Sequence, residues 1–172
     1  GLLNQKNTVD ALPNIVQKDV IDAFEKYKVL NGRELHARYE VMLETYNKTI
    51  NVEGQLMTLM ANRYILPAAL EYQKQVAQSV VAVKAAGSKS IEGKKTLDQI
   101  VKLTDDFKRR TDKLQKALDH DGSSSAAGHA KHYRDSVIPA MTALREAGDA
   151  LEVLIPHELW PLATYREMLF IK

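Results

Sequence analysis

Apolar residues return every third or fourth position through most of this chain, the spacing of one face of an α-helix. The cleanest run lies at 94–119. There Leu97, Ile100, Thr104, Phe107, Thr111, Leu114 and Leu118 alternate steps of three and four, a heptad seam that predicts one long helix. From Arg33 to about Ala86 the pattern is helical with almost no break, through Leu35, Tyr39, Met42, Tyr46 and Ile50 and on to Leu56, Met60 and Tyr64. Val41, Leu43, Val52, Met57, Leu59 and Leu66 lie off that line. The apolar arc is therefore wide, as in a helix packed on more than one side. Straight, such a segment spans roughly 80 Å, longer than a globule of this size. Another long helix is predicted at about 126–154, with Tyr133, Val137, Met141, Leu144, Gly148, Leu151 and Ile155 on its core face. A shorter first helix is predicted at about 13–28, opened by Pro13, whose missing N–H costs nothing in a first turn.

Turn residues are few and mark the ends of these segments. Asn31-Gly32 is a turn signal, Gly87 to about Gly93 reads as a connector, and 119–127, with Gly122-Ser123-Ser124-Ser125, reads as a flexible loop. Gly54 sits inside the longest helical run and marks a close approach. Pro67 and Pro139 each remove an intrahelical bond and predict kinks. Their surroundings, Ile65-Leu66-Pro67-Ala68 and Val137-Ile138-Pro139-Ala140, look alike. After Pro156 the chain turns strongly apolar, with Trp160, Leu162, Tyr165, Leu169 and Phe170. A buried tail crossing the bundle is expected, with a short helix near 164–170. Nothing alternates at period two. The fold class is all-α: an elongated antiparallel bundle of three or four long helices, two of them Pro-kinked, with a short N-terminal helix and the apolar tail packed on it.

Composition changes this picture little. Hydrophobic residues make up 45% of the 172 and charged residues 27%, enough apolar material for a core. The net charge of +2, from 24 basic and 22 acidic residues, implies neither nucleic acid nor membrane as partner. No apolar run approaches the roughly 20 residues that cross a bilayer. The absence of cysteine excludes disulfides, thiolate metal sites and cysteine nucleophiles. It is compatible with a cytoplasmic protein.

Candidate chemistry is sparse. His129 and His132, spaced i, i+3, could share a helical face with Asp135 as a partial metal site. The alternative is a set of exposed polar residues near a helix start. Glu40, Glu44 and Glu53 are carboxylates on an apolar-rich helix, but the Glu-x-x-His pairs of a di-iron bundle are missing. Pairing with Lys or Arg neighbours is the simpler reading. Residues 84–116 hold ten Lys or Arg and five Asp or Glu, densest at Lys108-Arg109-Arg110. They read as a solvated helix face behind the heptad seam. No glycine-rich phosphate loop and no Gly-x-Ser-x-Gly elbow occurs. The residues therefore nominate no catalytic, cofactor-binding or metal-binding side chain.

An ordered set of strings carries a resemblance. Lys6-Asn7-Thr8-Val9-Asp10-Ala11-Leu12-Pro13, Glu34-Leu35-His36-Ala37-Arg38-Tyr39-Glu40 and Tyr46-Asn47-Lys48-Thr49-Ile50-Asn51-Val52-Glu53 come first. Ile65-Leu66-Pro67-Ala68, Leu154-Ile155-Pro156 and Trp160-Pro161 follow. In this order the chain resembles the C-terminal region of type III glutamine synthetases, well over about 1–80 and 133–170 and loosely between. The resemblance implies a parent ligase that joins ammonia to glutamate using ATP and divalent metal ions, all bound by segments upstream. It implies that residues 1–12 lead in from that catalytic domain, that 13–172 form a single helical C-terminal domain, and that the parent is cytoplasmic. Its expected partners are its own catalytic domain and neighbouring subunits of a homo-oligomer. An independent helical-bundle interaction module with an unrelated protein partner is the other reading that the residues allow.

Overall fold

The computed structural model describes residues 4–119, 125–163 and 165–170. Helix dominates them, and no strand occurs among them, as expected for the all-α class. In chain order the helices are α1 (Thr8–Ala11), a 3-10 turn (Leu12–Val16), α2 (Lys18–Lys26), α3 (Gly32–Met60), α4 (Leu66–Ala85), α5 (Ile91–Asp119), α6 (Ala126–His132), α7 (Ile138–Glu152) and α8 (Tyr165–Leu169).

The ends of these helices are set by local chemistry. Asn31 and Glu34 form a reciprocal capping box at the start of α3: the Glu34 N–H donates to Asn31 Oδ1 at 3.0 Å, and the Asn31 N–H donates to Glu34 Oε2 at 2.8 Å. The Gly32 N–H donates to Glu25 Oε1 at 2.8 Å, fastening α2 to the same corner. Lys28, at φ 53°, ends α2, and Gly87, at φ 80°, ends α4. At both ends the following N–H reaches back five residues, Val29 to Phe24 O and Ser88 to Val83 O, the Schellman closure. Only at Gly87 does the residue suit the left-handed backbone without strain.

The interruptions expected at the two prolines take a specific form. α3 passes into α4 through a π-turn at Ala61–Ile65, and α6 into α7 through a π-turn at Tyr133–Val137. In each, the residue before proline donates five back, Leu66 to Ala61 O and Ile138 to Tyr133 O. The wider turn relaxes the i−4 contact that proline cannot make in a regular helix. The similar strings at 65–68 and 137–140 therefore encode the same backbone device twice.

The chain forms two compact units, Gly1–Gln55 with Ala117–Pro139, and Leu56–Lys116 with Ala140–Lys172. In the first, Val9, Leu43 and Ala130 form a buried cluster covered by Leu12, Tyr39, Tyr46, Ala126 and Ala127. Residue 43 is beside 130, and Asn47 Nδ2 donates to Ala126 O at 2.8 Å, so α3 and α6 run antiparallel. Gly54 is buried against Leu118: a Cβ there would lie 2.8 Å from Leu118 Cδ2, the close approach expected of this glycine. In the second unit Ile100, Thr104, Phe107, Thr111 and Leu114 are buried, five of the seven seam positions. Ala140, Leu144, Ala147, Gly148 and Leu151 are buried on α7. Arg110 Nη1 donates to Ala143 O at 2.7 Å and Phe107 lies beside Gly148, so α5 and α7 are also antiparallel.

Two boundaries differ from expectation. The expected lead-in at 1–12 includes a helical turn, α1, with Val9 in the core. The expected helix at 13–28 is a 3-10 turn followed by α2. Asn7 explains the early start, since its Oδ1 accepts from the Asp10 N–H at 3.0 Å as a helix cap. At the other end Ile155 and Trp160 are buried, but Met168, Leu169 and Phe170 are 59%, 72% and 69% exposed. A helix of five residues offers too little apolar area to offset its ordering, so burial of the tail stops near Trp160. The expected loop at 119–127 falls largely on residues 120–124, outside the described residues.

Candidate functional site

Three places carry concentrated interactions. The first is the clip that holds the N-terminal turn in its unit. Arg134, on the π-turn, donates from Nη1 to Asp10 Oδ1 at 2.6 Å and from Nε to Asp135 Oδ1 at 2.7 Å. The guanidinium holds the Asp135 carboxyl below its ordinary value, and the Asp135 contact raises Arg134 in turn. Tyr46 lies close by. Burial pushes its phenol up, and Arg134 opposes that push. One guanidinium thus joins α1 to the last long helix across 124 positions of sequence. Neither Arg134 nor Asp10 stands out in the sequence as a pair, because no periodicity links positions so far apart.

His132, near that helix, does structural work. His132 is half-buried, with Nε2 2.8 Å from Ala117 O, so it bridges to the end of α5. Asp135 is engaged by Arg134. No group of three or more His, Asp or Glu is placed to hold a metal ion among the described residues. The carboxylates on α3 are also dispersed: Glu44 pairs with Lys48 at 3.2 Å, while Glu40 and Glu53 are exposed.

The basic stretch 84–116 lies in the second unit, and its densest part is neutralised. Lys108 pairs with Asp112, Arg109 with Asp106, and Arg110 with both Asp106 and Glu146. Arg110 also closes the α5–α7 contact at Ala143, so this arginine is a packing element rather than a ligand-seeking one.

The third place is the back of α3. Its buried positions, Leu35, Leu43, Gly54, Thr58 and the following Ala61, occupy one arc. At 100° per residue Val41, Val52, Leu56 and Leu59 fall on the opposite arc. They are 63%, 62%, 54% and 41% exposed. Thr45, also exposed, lies between them, and Arg38 and Arg63 bracket the row. The wide apolar arc of the sequence is thus covered on one side only.

Residues 1–84 match the family described as Glutamine synthetase C-terminal domain. A glutamine synthetase of Butyrivibrio fibrisolvens is 28% identical over 173 residues, covering 99% of this chain and 25% of its own. The type-3 glutamine synthetase of Dictyostelium discoideum is 28% identical over 179 residues, covering 100% of this chain and 24% of its own. A glutamine synthetase of Bacteroides fragilis (strain YCH46) is 27% identical over 181 residues, again covering all of this chain and 25% of its own. The chain spans about a quarter of the length of these relatives and aligns with their C-terminal part.

Proposed function

Because this chain is related over its whole length to the C-terminal part of type III glutamine synthetases, we propose that it is a non-catalytic helical support of such an enzyme. In this reading the parent is a cytoplasmic, ATP-dependent glutamate–ammonia ligase. Its nucleotide, metal and glutamate sites lie in other segments of a longer chain. The helical region packs against that catalytic part through the outer face of α3, and the Arg134 clip fixes where residues 8–11 enter the helical body.

The observation that carries the reading is the row Val41, Val52, Leu56 and Leu59. These are four branched apolar side chains on one helical arc, each 41–63% exposed, with the exposed Thr45 and Lys48 between Val41 and Val52; exposed apolar surface of this kind on a helix is what a partner would cover. The relatives are about four times longer than this chain, so each has further chain beyond the matched part from which a covering segment can come.

Two assays test the proposal. The purified chain, given glutamate, ammonia, ATP and magnesium, forms no glutamine above a no-enzyme control. Val52→Asp, placed in a full-length ligase carrying this region, loosens the helical region from the catalytic part, read as faster limited proteolysis between them. Glutamine formation by the chain alone, or unchanged proteolysis in the variant, overturns it. If the variant instead splits the oligomer while proteolysis is unchanged, the face belongs to a neighbouring subunit.

A further inference from the structure

We propose that the turn between α4 and α5 is a binding site for a small organic phosphate, a function independent of the support role. The left-handed Gly87 reverses the chain, so the last turn of α4 and the first turns of α5 face a common space. That space is an open depression of about 530 Å³, within the roughly 300–1,000 Å³ of small-molecule sites. Lys84, Lys89, Lys94 and Lys95 line it, with Asp98 as the lone carboxylate among the lining residues. Lys95 is engaged by Glu92 at 2.8 Å. Lys84, Lys89 and Lys94 make no ion pair among the described residues, in contrast to Lys108, Arg109 and Arg110 farther along α5. Lysine ammoniums act as point charges toward phosphate.

The rest of the lining decides the ligand class. Val80 and Ile91 give the wall an apolar component, and Ile91 is 63% exposed toward solvent. Ser88 and Ser90 add hydroxyls that donate to phosphate oxygens. Gly93 leaves room for the Ser90 hydroxyl, since a Cβ at Gly93 would overlap Ser90 Oγ. Cations, hydroxyls and an apolar wall in one concavity suit a molecule with a phosphate group and an organic body. A bare inorganic anion would leave the wall unused.

Calorimetric titration of the full chain with adenosine diphosphate and with pyrophosphate, at near-physiological salt, tests this. The organic diphosphate binds more tightly than pyrophosphate. Lys84→Gln/Lys89→Gln/Lys94→Gln weakens it by at least about tenfold, the equivalent of about 1.4 kcal/mol. Lys102→Gln/Lys113→Gln/Lys116→Gln, which removes the same charge elsewhere, leaves it within about twofold. Ile91→Ser, at an exposed position, weakens the organic diphosphate and spares pyrophosphate. Equal losses in the two triple variants, equal affinity for the two anions, or no binding at all overturns the proposal. A poly-glutamate peptide binding as tightly as the diphosphate also overturns it, in favour of an acidic protein segment.

Discussion

α3 and α5 are both 29 residues long, yet they use their apolar residues differently. On α5 they form one seam, and its centre, Ile100 to Leu114, is buried. The opposite side of α5 is charged and laced with i, i+3 and i, i+4 pairs. α3 buries Leu35, Leu43 and Gly54 on one side but shows Val41, Val52, Leu56 and Leu59 to solvent on the other. A helix with one apolar stripe is complete once it is packed. A helix with two is complete only in a larger assembly. The difference separates a part that holds the fold together from a part that faces outward.

The sharpest test of this contrast is Phe107→Ala. Phe107 is 1% exposed at the middle of the seam, beside Gly148, so its loss leaves a cavity at the α5–α7 contact. We expect a loss of about 3–5 kcal/mol, the range for buried Phe-to-Ala changes. Urea unfolding followed by circular dichroism measures it. A cost under 1 kcal/mol would mean that the seam does not hold the second unit together.

Trp160 gives the next largest effect and asks where the tail stops being structural. It is 8% exposed, whereas Phe170 is 69% exposed. Trp160→Ala should cost about 3–5 kcal/mol, and Phe170→Ala within about 0.5 kcal/mol of zero. The buried Trp160 Nε1 has no hydrogen-bond partner among the described residues. Trp160→Phe removes that unmet donor as well as some volume, and should cost less than about 1.5 kcal/mol. Blue-shifted tryptophan emission from the native chain accompanies this result. Emission at the wavelength of solvated indole contradicts it.

What was readable beforehand follows the range of each interaction. The seam of α5 and the core face of α7 are properties of single helices, and local periodicity carries them; the close approach at Gly54 is legible from the residue itself, a glycine inside a helical run. The two prolines announced interruptions, but the π-turn that absorbs each depends on how the surrounding helix redistributes its bonds, which residue identity does not state. The Asp10–Arg134 pair spans most of the chain and left no local trace. Composition predicts a tail buried throughout, because it reports hydrophobicity and not the length of helix available to pack it. The basic stretch is densest at Lys108-Arg109-Arg110 along the sequence, yet that part carries the least free charge. Asp106 and Asp112 neutralise its middle at helical i, i+3 and i, i+4 spacing, while the Glu146 contact to Arg110 comes from another helix and leaves no local trace.

The two buried glycines sharpen the comparison at smaller scale. A Cβ on Gly148 meets Phe107 Cε2 at 3.6 Å, an ordinary contact. Gly148→Ala should therefore stabilise by about 0.5–1 kcal/mol, through the backbone entropy that glycine loses in a helix. A Cβ on Gly54 meets Leu118 Cδ2 at 2.8 Å, and that methyl must move. Gly54→Ala should therefore gain less than Gly148→Ala, or lose stability outright. Thermal unfolding of the two variants side by side reads the difference. A larger gain at Gly54 would show that α3 and α5 have room to spare in the first unit.

The smallest effect on stability belongs to the outer face of α3, and its smallness is what the proposal requires. Val52→Ser/Leu56→Ser removes two exposed apolar side chains and touches none of the buried positions. Stability should stay within about 0.5 kcal/mol per substitution, as for surface changes away from packed or capped sites. Association should change instead. An apolar face that is normally covered by the rest of an enzyme tends to find a second copy when the chain is alone. The wild-type chain is therefore expected to self-associate weakly, with an apparent mass that rises over a concentration series in light scattering. The double variant should remain monomeric across the same series. If the double variant loses several kcal/mol, the face is part of the internal packing and the two-sided description of α3 is wrong. If wild type and variant are equally monomeric, the face has no affinity for apolar partners, and the support role loses the observation that carries it.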